Sequence, residues 1–188
     1  MEADYPVLID ACVLANHAVT DLLLRLADGP RLFIPRWTDA ILEETRRTLL
    51  VDLEWPTRLV ESRDVAFREY FPEAWIRGYE PLIPSLGNDP KDRHVLAAAI
   101  WGKCGALTTF NLRDFPEEHL APWEVEAVHP ADLLTDLYDL NAAVVLSRLH
   151  DIATDRKRPL TDVIRTLSKS VPSFAAGVAD RLDLDLEG

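Results

Sequence analysis

Three consecutive apolar residues near the start of the chain, Val7-Leu8-Ile9, set the strongest constraint on how this protein can fold. The run lies between Pro6 and Asp10, so it is too short for a helix and has no polar face. A strand that is apolar on both faces is typical of a parallel sheet whose two sides are covered. Parallel strands need crossover connections, which are usually helices, so the run predicts an α/β fold.

The first 130 residues continue this alternation of strand and helix patterns. Gly29-Pro30 stops the first helix, Thr38 caps the second, Pro56 opens the third, and the proline-rich residues 72–88 predict an irregular connection. The expected helices are 13–28, 39–53, 56–70 and 90–103, and the expected strands are 6–9, 32–34, 106–110 and 125–128. This order predicts an α/β/α sandwich with a central, mostly parallel sheet.

From His129-Pro130 onward the periodicity is helical only. It predicts three or four short helices, with breaks near Arg156-Lys157-Arg158-Pro159 and at Pro172. The expected organisation is therefore an α/β domain over residues 1–130 and a helical C-terminal extension over residues 131–188. The extension is too small to be stable alone, so its apolar rows must pack against the sheet domain, a second subunit or an antitoxin, and we expect the sheet domain of the same chain.

Composition and charge narrow the class of protein. The net charge is −12, from 32 acidic and 20 basic residues, which disfavours a broad nucleic-acid-binding surface. The charge does not exclude nucleic-acid binding at a local site, because acids gathered at one site would be neutralised by a metal ion. No apolar stretch reaches the roughly 20 residues of a membrane helix, and Glu2 and Asp4 stand where a signal peptide would be basic. A cytoplasmic protein without a membrane association is expected.

The two cysteines, Cys12 and Cys104, have neither the spacing of metal ligands nor that of a redox motif. We expect both to be buried free thiols without a function.

Four acidic residues stand at positions that a parallel sheet would bring together. Asp10 follows the first strand, Glu44 lies in the second helix, Asp92 lies near the start of the fourth helix, and Asp114 follows the strand 106–110. The carboxyl ends of parallel strands share one edge of the sheet, where ligands commonly bind. Carboxylates gathered there favour a hard cation, and a hard cation makes phosphate chemistry possible.

Helix geometry distinguishes the stronger candidates among these acids. In the helix expected after Pro90, Asp92 projects toward the same side as Val95 and Leu96, where a solvated carboxylate would not be placed. In the helix after Thr38, Glu44 lies on the flank of the apolar face, whereas Glu43 points nearly opposite. Glu44 is therefore the better ligand candidate of the two.

Each acid also has an ordinary structural explanation, which the sequence leaves open. Asp10 and Asp89 could cap the helices that follow them, and Asp92 could complement the dipole of its own helix. Glu44 could be an exposed charge that pairs with a neighbour on the same helix. Asp114 could be a simple turn former, because it precedes a proline closely.

Four segments occur in a specific order and spacing: Val7–Leu14, Ile41–Leu49, Asn88–Ala99 and Leu107–Pro116. Together they make residues 1–130 similar to the PIN-domain ribonucleases, the fold of the VapC toxins of bacterial toxin–antitoxin pairs. Ala11 departs from the pattern, because the family usually has a small hydroxyl residue there. The family's four acidic positions fall on Asp10, Glu44, Asp92 and Asp114, and the supporting positions are Asn111 and Asp89.

The resemblance implies a PIN-like fold and a metal-dependent endoribonuclease. The four acids would hold Mg²⁺ or Mn²⁺ and carry out hydrolysis of RNA phosphodiester bonds, leaving a 5′-phosphate and a 3′-hydroxyl. The resemblance also implies a toxin whose partners are an RNA substrate, a cognate antitoxin protein and a second copy of the chain. Arg46, Lys91 and Arg93 lie in the matching segments and are the candidates for RNA phosphate contacts.

Two other functions are compatible with parts of the pattern. A phosphatase with an aspartyl nucleophile would use Asp10, but it typically needs a second aspartate two residues later, where this chain has Cys12. A PIN fold could also serve in RNA processing or as a scaffold, without any antitoxin. The presence of all four acids favours retained catalysis.

Overall fold

A computed structural model of the protein describes residues 4–186. Its described part contains one sheet of four strands in the order β2-β1-β3-β4, and all three neighbouring pairs are parallel. The strands are β1 (Pro6–Ile9), β2 (Ile34–Arg36), β3 (Ala106–Thr108) and β4 (Glu126–Val128). Helices cover the sheet, so the predicted α/β/α sandwich is confirmed.

The helices between the strands form the first part of the chain. They are α1 (Ala11–Ala15), α2 (His17–Ala27), α3 (Asp39–Arg47), α4 (Thr57–Tyr70), α5 (Arg93–Trp101) and α6 (Glu117–Leu120). A π-helical turn, Thr48–Asp52, extends α3. Short 3₁₀ segments lie at Pro72–Ala74, Glu80–Ser85, Leu112–Asp114 and Ala121–Trp123.

The first strand lies at the centre of the sheet, as its apolar sequence predicted. Val7, Leu8 and Ile9 are completely buried, with β2 on one side and β3 on the other. Because Ile9 pairs with Thr108, the residues that follow these two strands emerge side by side at the carboxyl edge of the sheet. This register brings Asp10 next to Thr109.

Two expected boundaries near the N-terminus were wrong. The helix expected over 13–28 is two helices that meet at Asn16, whose side-chain oxygen accepts a hydrogen bond from the Val19 N–H and so starts α2. The strand expected at 32–34 begins only at Ile34. Leu32 and Phe33 precede this edge strand, and their side chains are buried in the core.

Two boundaries beside the site also differ from the prediction. The fourth long helix begins at Arg93 rather than at Pro90, since the Asp89 carboxylate accepts from the Lys91 N–H and holds residues 89–92 in a turn. Asp92 therefore occupies the N-cap position, not the third helical position. The strand expected over 106–110 ends at Thr108, which frees the next two residues to turn toward the site.

The C-terminal extension forms four helices, with breaks at both predicted places. They are α7 (Pro130–Leu140), α8 (Ala142–Asp155), α9 (Leu160–Ser168) and α10 (Pro172–Arg181). A single apolar core continues from the sheet into these helices. The predicted docking within the same chain is confirmed, whereas the division into two domains at residue 130 stays a prediction.

Polar contacts fix the extension on α2. Arg156 forms an ion pair of 2.6 Å with Asp21, and Arg25 forms one of 2.8 Å with Asp155.

Within residues 4–186, no helix has the length and apolar character needed to cross a bilayer.

Candidate active site

Three of the four predicted acids line one cavity of about 590 Å³. Asp10 comes from the end of β1, Glu44 from α3 and Asp92 from the N-terminus of α5, and Asn111 lines the same cavity from the segment after β3. A larger cavity, of about 710 Å³, lies between α2 and α4 and contains none of the predicted acids. The smaller cavity is therefore the candidate site, because it holds the reactive groups.

Asp10 is the most firmly held of the acids. It is 8% exposed, and its Oδ1 accepts a hydrogen bond of 2.7 Å from the Ala11 N–H at the start of α1. Its Oδ2 accepts from the Thr109 hydroxyl at 2.7 Å and from the Cys12 thiol at 3.1 Å. Asp10 thus caps a helix and lines the cavity at once, so the two explanations left open by the sequence are compatible.

Thr109 supplies a hydroxyl contact to Asp10. The resemblance indicated a missing small hydroxyl residue at Ala11, yet the Thr109 hydroxyl donates to Asp10 from the position directly after β3. The same hydroxyl oxygen accepts from the Asn111 N–H at 3.0 Å. Sequence reasoning missed Thr109, and only the pairing of β1 with β3 reveals it, because Asp10 and Thr109 are distant in the chain.

The prediction that both cysteines are buried is wrong for Cys12. Cys12 is only partly buried and lines the cavity, whereas Cys104 is buried as expected. Burial, followed by the charge of Asp10, raises the pKa of the Cys12 thiol to about 12. The thiol therefore stays protonated near neutral pH and can donate to the Asp10 carboxylate.

Asp92 presents a carboxylate with an unused oxygen. Its backbone carbonyl accepts from the Val95 N–H at 3.1 Å, but its side chain makes no capping hydrogen bond. The buried Oδ2 has no hydrogen-bond partner in the described part of the chain, and Lys91 Nζ lies 3.8 Å from it. Burial raises the pKa of Asp92, Lys91 opposes this, and the charges of nearby Asp114, Asp89 and Asp10 add to the rise.

Glu44 extends into the cavity and pairs with a histidine that the sequence did not indicate. Its Oε1 lies 3.0 Å from Nε2 of His94, whose side chain is only 16% exposed. The hydrogen bond to Glu44 raises the pKa of His94, although burial acts in the opposite direction.

The other side chains of α3 agree with the predicted phase of this helix. Ile41 and Thr45 are buried, whereas Glu43 is exposed and lines no part of the cavity.

The remaining predicted acids lie at the edge of the site. Asp114 belongs to a 3₁₀ segment after β3 and does not line the cavity, but it is near enough to Asp92 to raise the pKa of that carboxyl. Asp89 is exposed and uses its Oδ1 to hold the turn before α5. The structure thus brings three of the predicted acids into one cavity and leaves two beside it, and Asp52, which was not predicted, also lines that cavity.

The basic residues proposed for RNA contacts have different surroundings. Arg46 forms an ion pair of 3.0 Å with Asp64, and Arg93 donates from Nε to the Asn88 carbonyl oxygen at 2.9 Å. The Lys91 side chain is 66% exposed. Arg47, which was not among the three candidates, is exposed and lines the cavity itself.

The donor set fits a hard divalent cation in its chemistry. It consists of carboxylate oxygens, and the buried Asp92 Oδ2 has no hydrogen-bond partner among the described residues. Among residues 4–186, no group of three or more His, Cys, Asp or Glu side chains is arranged to hold a metal ion.

The pairing of Glu44 with His94 leads to a prediction. In metal-free protein, NMR titration should place the pKa of His94 above the ordinary imidazole value, and Glu44→Gln should lower it, because the strongest cause of the rise is removed. Glu43→Gln is the control and should leave the titration unchanged. A His94 curve that does not respond to Glu44→Gln would show that the two side chains are not paired in solution.

Fold and site together define a PIN-like α/β/α protein with an acidic cavity at the carboxyl edge of its parallel sheet. The chain is 38% identical over 107 residues to the Mycobacterium tuberculosis protein named "Putative ribonuclease VapC50". The match covers 55% of this chain and 63% of that protein, less than two thirds of its length. No family model matches the chain. No solved structure matches it either. The similarity confirms the predicted resemblance to the VapC-type PIN ribonucleases.

Proposed function

We propose that this chain is a metal-dependent endoribonuclease and the toxin of a toxin–antitoxin pair. One observation carries the proposal: Asp10, Glu44 and Asp92 come from three separate elements and line a single cavity at the carboxyl edge of the sheet. Carboxylate oxygens are the ligands that hard divalent cations prefer, so a cavity lined by these acids favours such a cation. The similarity to a protein named as a ribonuclease supports RNA as the substrate.

Asp10, Glu44 and Asp92 are the residues that would hold Mg²⁺ or Mn²⁺, with Asp114 contributing negative charge from the edge of the site. When bound, the cation supplies Lewis-acid chemistry, which polarises a phosphate and makes water more acidic. Magnesium keeps several waters and needs only one or two carboxylates, so a small ligand set is sufficient.

The side chains have separate tasks in the proposed hydrolysis. Thr109 and Cys12 hold the Asp10 carboxylate in one orientation, which pre-organises the site. A cavity carboxylate orients the attacking water and accepts its proton. Attack on phosphorus from the side opposite the leaving 3′-oxygen would produce a 5′-phosphate and a 3′-hydroxyl.

Phosphate contacts in this proposal come from the basic residues that face the site. Arg47 lines the cavity and Lys91 is exposed beside Asp92, so both can reach a bound phosphate. Arg46 and Arg93 would first have to give up their contacts with Asp64 and the Asn88 carbonyl. Single-stranded or looped RNA is the favoured substrate, because its unstacked bases can be contacted directly.

A cleavage assay tests this function. The full-length protein, incubated with single-stranded RNA, should cleave it in Mn²⁺ or Mg²⁺ and lose that activity in EDTA. The products should carry a 5′-phosphate, which a 5′-phosphate-dependent exonuclease detects. Cleavage that persists in EDTA would contradict the metal requirement, and a lack of cleavage with either metal would contradict the nuclease assignment.

The toxin role requires an antitoxin, and we propose that this partner and a second copy of the chain complete the assembly. Co-expression with the product of a small adjacent upstream gene should yield a stable complex and suppress RNA cleavage. The alternative is an RNA-processing nuclease or a scaffold without an antitoxin. Active protein whose expression leaves the growth of its host unaffected would favour that alternative.

A further inference from the structure

Among the apolar side chains that line the acidic cavity, the two largest have no part in the proposed hydrolysis. Phe110 lines it from the segment after β3, and Leu53 lines it from the chain that follows the π-helical turn. Phe110 is partly exposed, and Leu53 is 51% exposed. A single leucine at a protein surface is ordinary, but an aromatic ring and a leucine inside a cavity of charged groups form a mixed surface. Such a surface fits a ligand with both an apolar face and a charge.

Both residues are held in place by their surroundings. The Phe110 ring packs edge-on against His129, with ring centroids 5.3 Å apart and an interplanar angle of 73°. Its backbone N–H donates to the Cys12 sulfur at 3.4 Å. The Leu53 N–H donates to the Thr48 carbonyl oxygen at 3.0 Å. A ligand that contacts the Phe110 ring pays little ordering entropy, because that ring is already packed against His129.

A positive charge lies in the same cavity. Arg47 is exposed, and its side chain makes no ion pair or hydrogen bond with another residue in the range 4–186. The cavity therefore combines a ring, an aliphatic side chain and an available guanidinium. A nucleotide has the matching parts, since its base presents a flat apolar face and its phosphate binds guanidinium.

We propose that Phe110 and Leu53 form a subsite for one unstacked nucleobase of single-stranded RNA, and that Arg47 contacts a phosphate of the same strand. The subsite rests on the proposed function and deepens it, because it places a base beside the carboxylates. A base inside a duplex has both faces covered by its neighbours and cannot enter. The subsite thus selects single-stranded RNA through stacking rather than through the edges of the base.

The test measures cleavage and binding with one probe, a single-stranded RNA of about ten nucleotides that contains 2-aminopurine. Phe110→Leu should raise KM for cleavage in Mn²⁺ about tenfold and leave kcat nearly unchanged, because stacking with the bound base is lost. Phe110→Tyr keeps the ring and should restore KM. Leu53→Ala should raise KM less, and the exposed Val51, which does not line the cavity, provides the control Val51→Ala.

Binding is measured separately, by quenching of 2-aminopurine in EDTA, so that the subsite and the proposed function can fail independently. Quenching that is lost in Phe110→Leu supports the subsite even if the wild-type protein cleaves nothing. Normal cleavage with KM unchanged in both Phe110→Leu and Leu53→Ala overturns the subsite and leaves the nuclease function standing. Wild-type protein that neither quenches nor cleaves the probe overturns the subsite. Leu53 is exposed, so its variant remains informative if Phe110→Leu does not fold.

Discussion

Replacing Asp92 by asparagine should abolish metal-dependent RNA cleavage while leaving the protein folded. Its buried Oδ2 has no hydrogen-bond partner in the described part of the chain, so the substitution breaks no side-chain hydrogen bond at that atom. It does remove a negative charge from the group that would hold the cation. Activity should fall by at least about a hundredfold, the scale seen when an essential electrostatic group of an active site is removed.

The same substitution should stabilise the metal-free protein at neutral pH. Burial and the neighbouring acids raise the pKa of Asp92 in the folded state, so its charged form is disfavoured there relative to the unfolded chain. This destabilisation of the folded state is absent when the pH is below the pKa of Asp92 in the unfolded chain. It grows as the pH rises through the higher pKa that Asp92 has in the folded protein. In EDTA, the melting temperature of Asp92→Asn should therefore be higher than that of the wild-type protein at pH 7, and the difference should be smaller near pH 3.

Asp10→Asn should also eliminate cleavage, but at a cost in stability. The two donors at Asp10 Oδ2, the Thr109 hydroxyl and the Cys12 thiol, would face an amide N–H₂ group instead of an acceptor. A lost buried hydrogen bond of this kind costs about 1–3 kcal/mol. Glu43→Gln is the activity control for both variants, because Glu43 is exposed outside the cavity. Wild-type cleavage rates in Asp92→Asn and Asp10→Asn would disprove the proposed site.

The second large effect concerns the C-terminal extension. Leu149→Ala should destabilise the whole protein by about 2–5 kcal/mol, because Leu149 is completely buried in α8, which packs against α2. Leu140→Ala is the matched control, since Leu140 belongs to the same extension but is 63% exposed. Urea unfolding, monitored by circular dichroism, should show one transition in each protein. Its midpoint should move to a lower urea concentration in Leu149→Ala but not in Leu140→Ala.

Deleting residues 131–188 extends this test to the whole extension. Removal of the four helices would expose the apolar face of α2 and break the ion pairs of Asp21 and Arg25 with the extension. The shortened protein should lose solubility, while any part that stays folded keeps the acids at the carboxyl edge of the sheet. A soluble, monomeric truncation that is as stable as the full chain would show that the extension is a detachable module.

The sequence was sufficient to predict the class of fold and most of the acids of the cavity. An apolar strand such as Val7-Leu8-Ile9 has one stable environment, the middle of a covered parallel sheet, so its local pattern already implies the tertiary arrangement. The phase of α3 likewise separated Glu44 from Glu43, because a helix rotates each residue by a fixed angle. Asp10 could be placed from its position directly after the first strand, whereas the helical phase used for Asp92 did not apply, because Asp92 precedes its helix as the N-cap.

Only the tertiary structure decided how those acids are held and surrounded. The contacts of Asp10 with Thr109 and of Glu44 with His94 join residues that are distant in sequence, and they depend on which strands and helices become neighbours. The late start of α5 was also unpredictable, since the Asp89 side chain competes with the helix for the Lys91 N–H. Sequence periodicity shows which side chains share one face of an element, whereas the order of strands in the sheet determines which side chains from different elements meet.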